Sequence, residues 1–233
     1  MGERFEVQAR DGSGSFGGYL AKPASGKGPG IVVVQEIFGV NAGIRSMCDD
    51  WAAQGYVAYA PDLFWRIEPG IDITDKSEAE WQKAFDLYNK FDVDKGIEDI
   101  EASIRALRAL PECSGKVGVV GFCLGGLLAY LSATRTDSDA TVGYYGVGIQ
   151  DKLGESHAIA KPLMLHIATQ DKFVPPEAQA KIHETLGANR HVTLHDYDAD
   201  HAFARVDGTS RVEECAQAAN ARTAEFFRQH LAS

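Results

Sequence analysis

The chain is short of cysteines, long apolar runs and positive charge, and each shortage removes a class of function. Its four cysteines in 233 residues, Cys48, Cys113, Cys123 and Cys215, are scattered and form no C-x-x-C pair. The expectation is reduced thiols in the cytoplasm, not a disulfide framework. No cysteine stands at metal-ligand spacing from a histidine. No apolar run approaches the ~18 residues of a membrane span. The opening "MGERFEVQARDG" has no apolar h-region, which predicts no secretion signal. Lys and Arg number 23 against 33 Asp and Glu, a formal net charge of -10. Such a surface suits neither nucleic acid nor an anionic membrane, and a carboxylate ligand would need local cationic help. No repeat and no low-complexity linker interrupts the chain, which predicts one domain over residues 1–233.

What is present alternates between strand and helix patterns. "RFEVQAR" and "SFGGYLAKP" read as edge strands around the turn "DGSG". "GIVVVQE" (30–36) is a β-branched run suited to a strand buried on both faces of a parallel sheet. A helix from about Ala42 to Gln54, closed by Gly55, leads to the strand "YVAYAP", which Pro61 ends. The segment from about 62 to 91 is a long excursion that reads as a functional, lid-like loop, because ordinary connections take ~2–6 residues. The amphipathic helix 94–110, the strand "GKVGVVGF" and a Leu/Ala-rich helix follow. Strands at "ATVGYYGVG" and "KPLMLHIATQ", a helix over 176–186, a strand "HVTLHDYD" and a helix from about Arg211 to His230 complete the chain. This pattern predicts an α/β protein with a mostly parallel, doubly wound sheet and helices on both faces.

Within that pattern, "VVGFCLGGLLAY" (119–130) reads as strand, sharp turn, helix, with Gly121 and Gly125 flanking Cys123. That is the spacing of a G-x-S-x-G nucleophile elbow with a thiol in place of the hydroxyl. A free cysteine can equally be a small buried hydrophobe. A nucleophile needs a base and a group that orients the base. Asp171 follows the apolar run "LMLHIATQ", and His201 lies in "YDADHAFAR" between the last strand and the last helix. Cys123, Asp171 and His201 therefore stand in the nucleophile–acid–histidine order of an α/β-hydrolase. Asp171 could instead cap a turn, and His201 could be a hydrogen-bonded loop histidine. Glu36, at the end of a β-branched strand, is costly unless paired or functional. It could cap a helix, join an ion pair or serve as proton acceptor for the thiol.

"QEIFGVN" (35–41), "GYVAYAPDLF" (55–64), "GKVGVVGFCLGG" (115–126), "VGYYGVG" (142–148), "QDKFVP" (170–175) and "HAFAR" (201–205), in this order, resemble the dienelactone hydrolase family of the α/β-hydrolases. The resemblance implies a hydrolase that opens an unsaturated lactone through Cys123, His201 and Asp171, with no metal and no organic cofactor. It implies that Glu36 takes the thiol proton when substrate binds, and that the backbone N–H groups of Ile37 and Leu124 form the oxyanion hole. It implies substrate contacts from Arg205, Phe38, Trp81, Phe85, Tyr88 and Tyr145. A small-molecule substrate and a monomer are expected, with no nucleic-acid or membrane partner.

Two positions depart from the family pattern. Trp81 stands where members that act on dienelactone carry a second carboxylate-binding arginine, and Ala202 stands where they carry serine. Trp81, Phe85 and Tyr88 share one helical face, which packs a core or lines a pocket. Arg205 binds the substrate carboxylate, pairs with Glu36 or lies at the surface. The departures predict a more aromatic, less cationic pocket. Alternatives are a general carboxylesterase or thioesterase, a redox-sensing thiol protein, and a binding protein without chemistry.

Overall fold

The computed structural model describes residues 2–232, so the two ends of the expected domain, Met1 and Ser233, lie outside it. The chain divides into two compact units, one up to Gly118 and one over Val119–Ala232.

The first unit contains β1 (Glu3–Gln8), β2 (Ser15–Ala21), β3 (Gly28–Val34), α1 (Ala42–Ala53), β4 (Val57–Pro61), α2 (Glu78–Lys90) and α3 (Val93–Ala109). Its strand order is β1-β2-β4-β3. β1 and β2 form the expected antiparallel hairpin, β2 pairs antiparallel with β4, and β3 runs parallel to β4. Ile31 to Val34 are fully buried, as an unbroken apolar run requires. β3 ends at Val34, so Glu36 lies two residues beyond the strand rather than at its tip.

The excursion is tied down along its length. Asp99, buried on α3, accepts from Trp65 Nε1 at 2.8 Å and from Arg66 Nε and Nη2 at 2.9 and 2.8 Å. Asn41 Nδ2 donates to the Ile73 carbonyl at 3.0 Å, and Ile73 N–H donates to the Phe38 carbonyl at 3.1 Å. α2 then starts on a Ser77 cap: Glu80 N–H donates to Ser77 Oγ at 3.3 Å, and Ser77 Oγ donates to Glu80 Oε2 at 2.8 Å.

β5 (Cys113–Phe122) carries the chain into the second unit, which contains α4 (Leu124–Arg135), β6 (Ala140–Tyr144), β7 (Leu163–Ala168), α5 (Pro176–Leu186), β8 (Val192–Tyr197) and α6 (Glu213–Leu231). Two short 3-10 turns, Ile149–Asp151 and Leu153–Ala158, had no signal in the sequence reading. The order is β5-β6-β7-β8, with β6–β7 and β7–β8 parallel. β6 stops at Tyr144, short of the expected strand, because Tyr145 turns to φ 38° and cannot continue it. α6 begins at Glu213 rather than Arg211, since Arg211 Nη1 turns back to the Ala204 carbonyl at 3.1 Å and Val212 N–H to Phe203 at 3.1 Å. The alternation of strands and helices and the mostly parallel pairing are those of the predicted α/β class. No helix among the described residues is long and apolar enough to cross a membrane.

Candidate active site

The second unit presents Cys123 on a strained hinge between β5 and α4. Its backbone adopts φ 56° and ψ -114°, a region that costs a non-glycine residue on the order of 1–3 kcal/mol. Neighbouring hydrogen bonds hold it there. Cys123 N–H donates to the Tyr144 carbonyl at 3.0 Å, and the Cys123 carbonyl accepts from Gly126 and Leu127 N–H at 2.9 and 3.3 Å. The sharpness of the turn explains Gly121, where a Cβ would lie 1.9 Å from the Gly125 carbonyl oxygen. It also explains Gly126, where a Cβ would lie 2.5 Å from the Tyr144 carbonyl oxygen. The thiol thus sits at the N-terminus of α4. Leu124 N–H opens the first turn there, and the helix dipole favours negative charge.

Asp171 follows β7 by three residues, and both its oxygens are engaged. Oδ1 accepts from Phe173 N–H at 2.8 Å, and Oδ2 pairs with His201 Nδ1 at 2.7 Å. One oxygen therefore caps the turn, and the other is bonded to the imidazole. Asp171 and His201 are buried, with side chains 1% and 10% exposed. Burial opposes a charged imidazole, but hydrogen bonds to Asp171 and to Cys123, together with their charges, push His201 up to about 10. The ring thus favours its protonated form, with the sulfur of Cys123 on one side and a carboxylate on the other.

Two aromatic rings frame that imidazole edge-on: Tyr145 at 5.2 Å and Phe173 at 4.9 Å between centroids. Tyr145 was expected at the site. Phe173 was not singled out, although it lies two residues after Asp171 within "QDKFVP" and is half-exposed. Arg205 is half-buried on the His201 loop, with its N–H on the Ala202 carbonyl at 3.0 Å. Ala202 itself turns to φ 63°. The remaining strand histidines are occupied elsewhere. His166 bonds Tyr197 Oη at 2.8 Å and Thr223 Oγ1 at 2.9 Å, and burial drives it well below its ordinary range. His195 stacks on His166 and is lowered by burial too.

In the first unit, Glu36, Ile37 and Phe38 are all buried in the turn after β3. Phe38 meets Trp81 edge-on at 5.1 Å, and Trp81 stacks on Phe85 at 5.5 Å. α2 buries Ala84 and Leu87, while Trp81 and Tyr88 are half-buried and Phe85 is exposed. The aromatic stripe is therefore not the core face of α2. The Trp81 indole N–H donates to the Asp75 carbonyl at 2.9 Å. It is spent on the chain's own backbone, so what the ring has left to offer a ligand is its apolar face.

The dienelactone hydrolase family profile matches residues 16–231. A protein of Azospirillum brasilense is 49% identical over 228 residues, covering 94% of this chain and 95% of its own. The carboxymethylenebutenolidase of Pseudomonas putida is 40% identical over 226 residues, covering 97% and 95%. A solved structure from Klebsiella pneumoniae superposes with a TM-score of 0.82 at 25% identity, covering 98% of this chain and 99% of its own. The chain belongs to the dienelactone hydrolase family.

Proposed function

We propose that this protein opens a small unsaturated lactone through a thioester on Cys123. It is a hydrolase of ester or lactone bonds by family, and the observation that carries the finer reading is the linked set in the second unit. Asp171 is bonded to His201, and His201 is bonded to a thiol on a strained elbow. In acylation the thiol proton passes to His201, and the Cys123 thiolate attacks the lactone carbonyl. The carbonyl π pair moves to oxygen, where the Leu124 N–H at the start of α4 stabilises it. Collapse breaks the acyl C–O bond, and the electron pair leaves on a conjugated enolate that takes a proton from the imidazolium. Water then attacks the thioester while His201 accepts its proton, and the thiolate departs. A thiolate suits this reaction because the stabilised enolate leaves readily.

Arg205 supplies cationic attraction for a substrate carboxylate, and Glu36, Phe38, Trp81, Phe85, Tyr88 and Tyr145 complete the proposed set. A second reading, a broader esterase for neutral acyl groups, is favoured by Trp81, whose only N–H is already taken. A side-by-side ultraviolet assay of a carboxylated dienelactone and a neutral ester, on wild type and Cys123→Ala, decides. Fast Cys123-dependent lactone opening supports the first reading. Slow lactone opening beside rapid, Cys123-dependent ester cleavage supports the second. Turnover that survives in Cys123→Ala contradicts both.

A further inference from the structure

α5 buries Ala178, Gln179, Ile182 and Leu186, which share one helical face. A glutamine on such a face is unfavourable unless its polar atoms find partners. The NH2 group of Gln179 finds three. Nε2 donates to the Val174 carbonyl at 2.7 Å and reaches the Ala168 and Thr169 carbonyls at 3.3 Å each.

These carbonyls stand on both sides of Asp171. Ala168 ends β7 and Thr169 follows it, whereas Val174 comes after Asp171, just before α5. One NH2 group therefore ties both flanks of the loop that carries the carboxylate to a single point on α5. The loop's own backbone bonds are longer. Asp171 N–H meets the Ala168 carbonyl at 3.3 Å, and Val174 N–H meets the Asp171 carbonyl at 3.3 Å, beyond the usual 2.7–3.2 Å range. The loop also borders a small cavity lined in part by Ala168, Asp171, Val174 and Ile182, so packing alone does not fix it. Its carboxylate must nevertheless meet His201 Nδ1 at 2.7 Å. An apolar side chain of similar volume would satisfy the packing of α5 but would leave the loop untied.

We propose that Gln179 is a positioning residue that clamps the 168–174 loop and so holds the Asp171 carboxylate on His201 Nδ1. The inference rests on the reading of Cys123, His201 and Asp171 as one catalytic set under the proposed function. Gln179 itself touches neither substrate nor the reacting atoms in this scheme. It acts only through the place of Asp171.

The test is a double-mutant cycle. Stopped-flow release of p-nitrophenolate from p-nitrophenyl acetate reads acylation, and thermal melting confirms the fold of each variant. Gln179→Met keeps the volume and removes the donor. In the wild-type background it is expected to slow acylation about 10-fold, since misplacing a catalytic group by about 1 Å can cost up to about 10²-fold. In the Asp171→Asn background the carboxylate is already gone, and the same change is expected to cost less than about 2-fold, the non-additivity of residues that act as a unit. An equal fold-loss in both backgrounds would overturn the proposal, because the effect would not pass through Asp171. No loss in the wild-type background would overturn it as well. Proton NMR supplies a readout that a merely structural role would not move. The low-field resonance of the His201 Nδ1 proton, identified by its absence from Asp171→Asn, should shift upfield in Gln179→Met, and an unmoved resonance contradicts the proposal. Should Gln179→Met not fold, Gln179→Asn carries the same cycle, since its amide is one methylene shorter and cannot tie both flanks of the loop. Wild-type rates of ester cleavage in Cys123→Ala or in Asp171→Asn would remove the underlying reading instead, a result distinguishable from failure at Gln179 alone.

Discussion

Replacing Asp171 by Asn changes two atoms in a buried cluster whose bonds are all specified. One oxygen of Asp171 accepts from Phe173 N–H at 2.8 Å, and the other faces His201 Nδ1 at 2.7 Å. An amide can keep only one acceptor. If its oxygen stays on Phe173 N–H, its NH2 group faces Nδ1 and forces the imidazole proton onto Nε2, the wrong tautomer for taking a proton from the thiol. If it flips, its NH2 group meets the Phe173 N–H, donor against donor, and the turn after β7 is disturbed. Either way the carboxylate charge that helps raise His201 to about 10 is gone, and burial then favours the neutral ring. An analogous substitution in the Ser-His-Asp triad lowers turnover by about 10⁴-fold. A thiol is more acidic than a serine hydroxyl and depends less on its base, so a loss of about 10²- to 10³-fold is expected here, about 3–4 kcal/mol of transition-state stabilisation. Stopped-flow measurement of p-nitrophenolate release, with thermal melting to confirm the fold, reads this directly. A well-folded Asp171→Asn within 3-fold of the wild-type rate would refute the argument that Asp171 orients His201.

Three further outcomes follow from the geometry. His166 is buried and held neutral, with its proton affinity below the ordinary value of 6.5. The unfolded chain therefore takes up a proton that the folded chain refuses, and stability falls as pH drops below about 6.5. Thermal melts from pH 8 to 5 should show that decline, and His166→Gln should flatten it; an equal slope in both proteins would contradict the assignment. Gly121→Ala places a methyl 1.9 Å from the Gly125 oxygen. The elbow should open, and iodoacetamide labelling of Cys123 and ester turnover should both fall at least 100-fold; near-normal activity would show that the turn is not as tight as described. Trp81→Arg removes an indole whose N–H is already bound to Asp75 and adds a cation on the aromatic face of α2. The rate ratio of carboxylated to neutral substrates should rise about 10-fold, and an unchanged ratio would show that position 81 does not set specificity.

How much of this was legible in the sequence depended on whether the determining contact was local. The elbow is local: a Cβ at Gly121 would clash with a carbonyl only four residues on, so the spacing around Cys123 announces the turn. Asp171 and His201 were legible because each follows a strand of the sheet, β7 or β8, as active-site loops in this architecture do. Phe173 was missed because its packing on His201 depends on the turn that Asp171 Oδ1 caps, which no periodicity encodes. Gln35 lies within a motif, but the partner of its side-chain oxygen is Leu63, 28 residues away in the excursion. The aromatic stripe on α2 was ambiguous by spacing, and burial of Ala84 and Leu87 instead identifies the core face. The fate of the Trp81 indole N–H was out of reach, because it depends on how the chain enters α2 past Asp75.

The central claim is that Cys123 carries the acyl group between ring opening and hydrolysis. Rapid acid quench of wild-type enzyme mixed with a slowly deacylating ester, followed by intact-mass and peptide mass spectrometry, tests it most directly. The account predicts one acyl group per chain, on the peptide containing Cys123, appearing before product and absent in Cys123→Ala. Steady turnover with no acyl adduct, or an adduct on another residue, would contradict it.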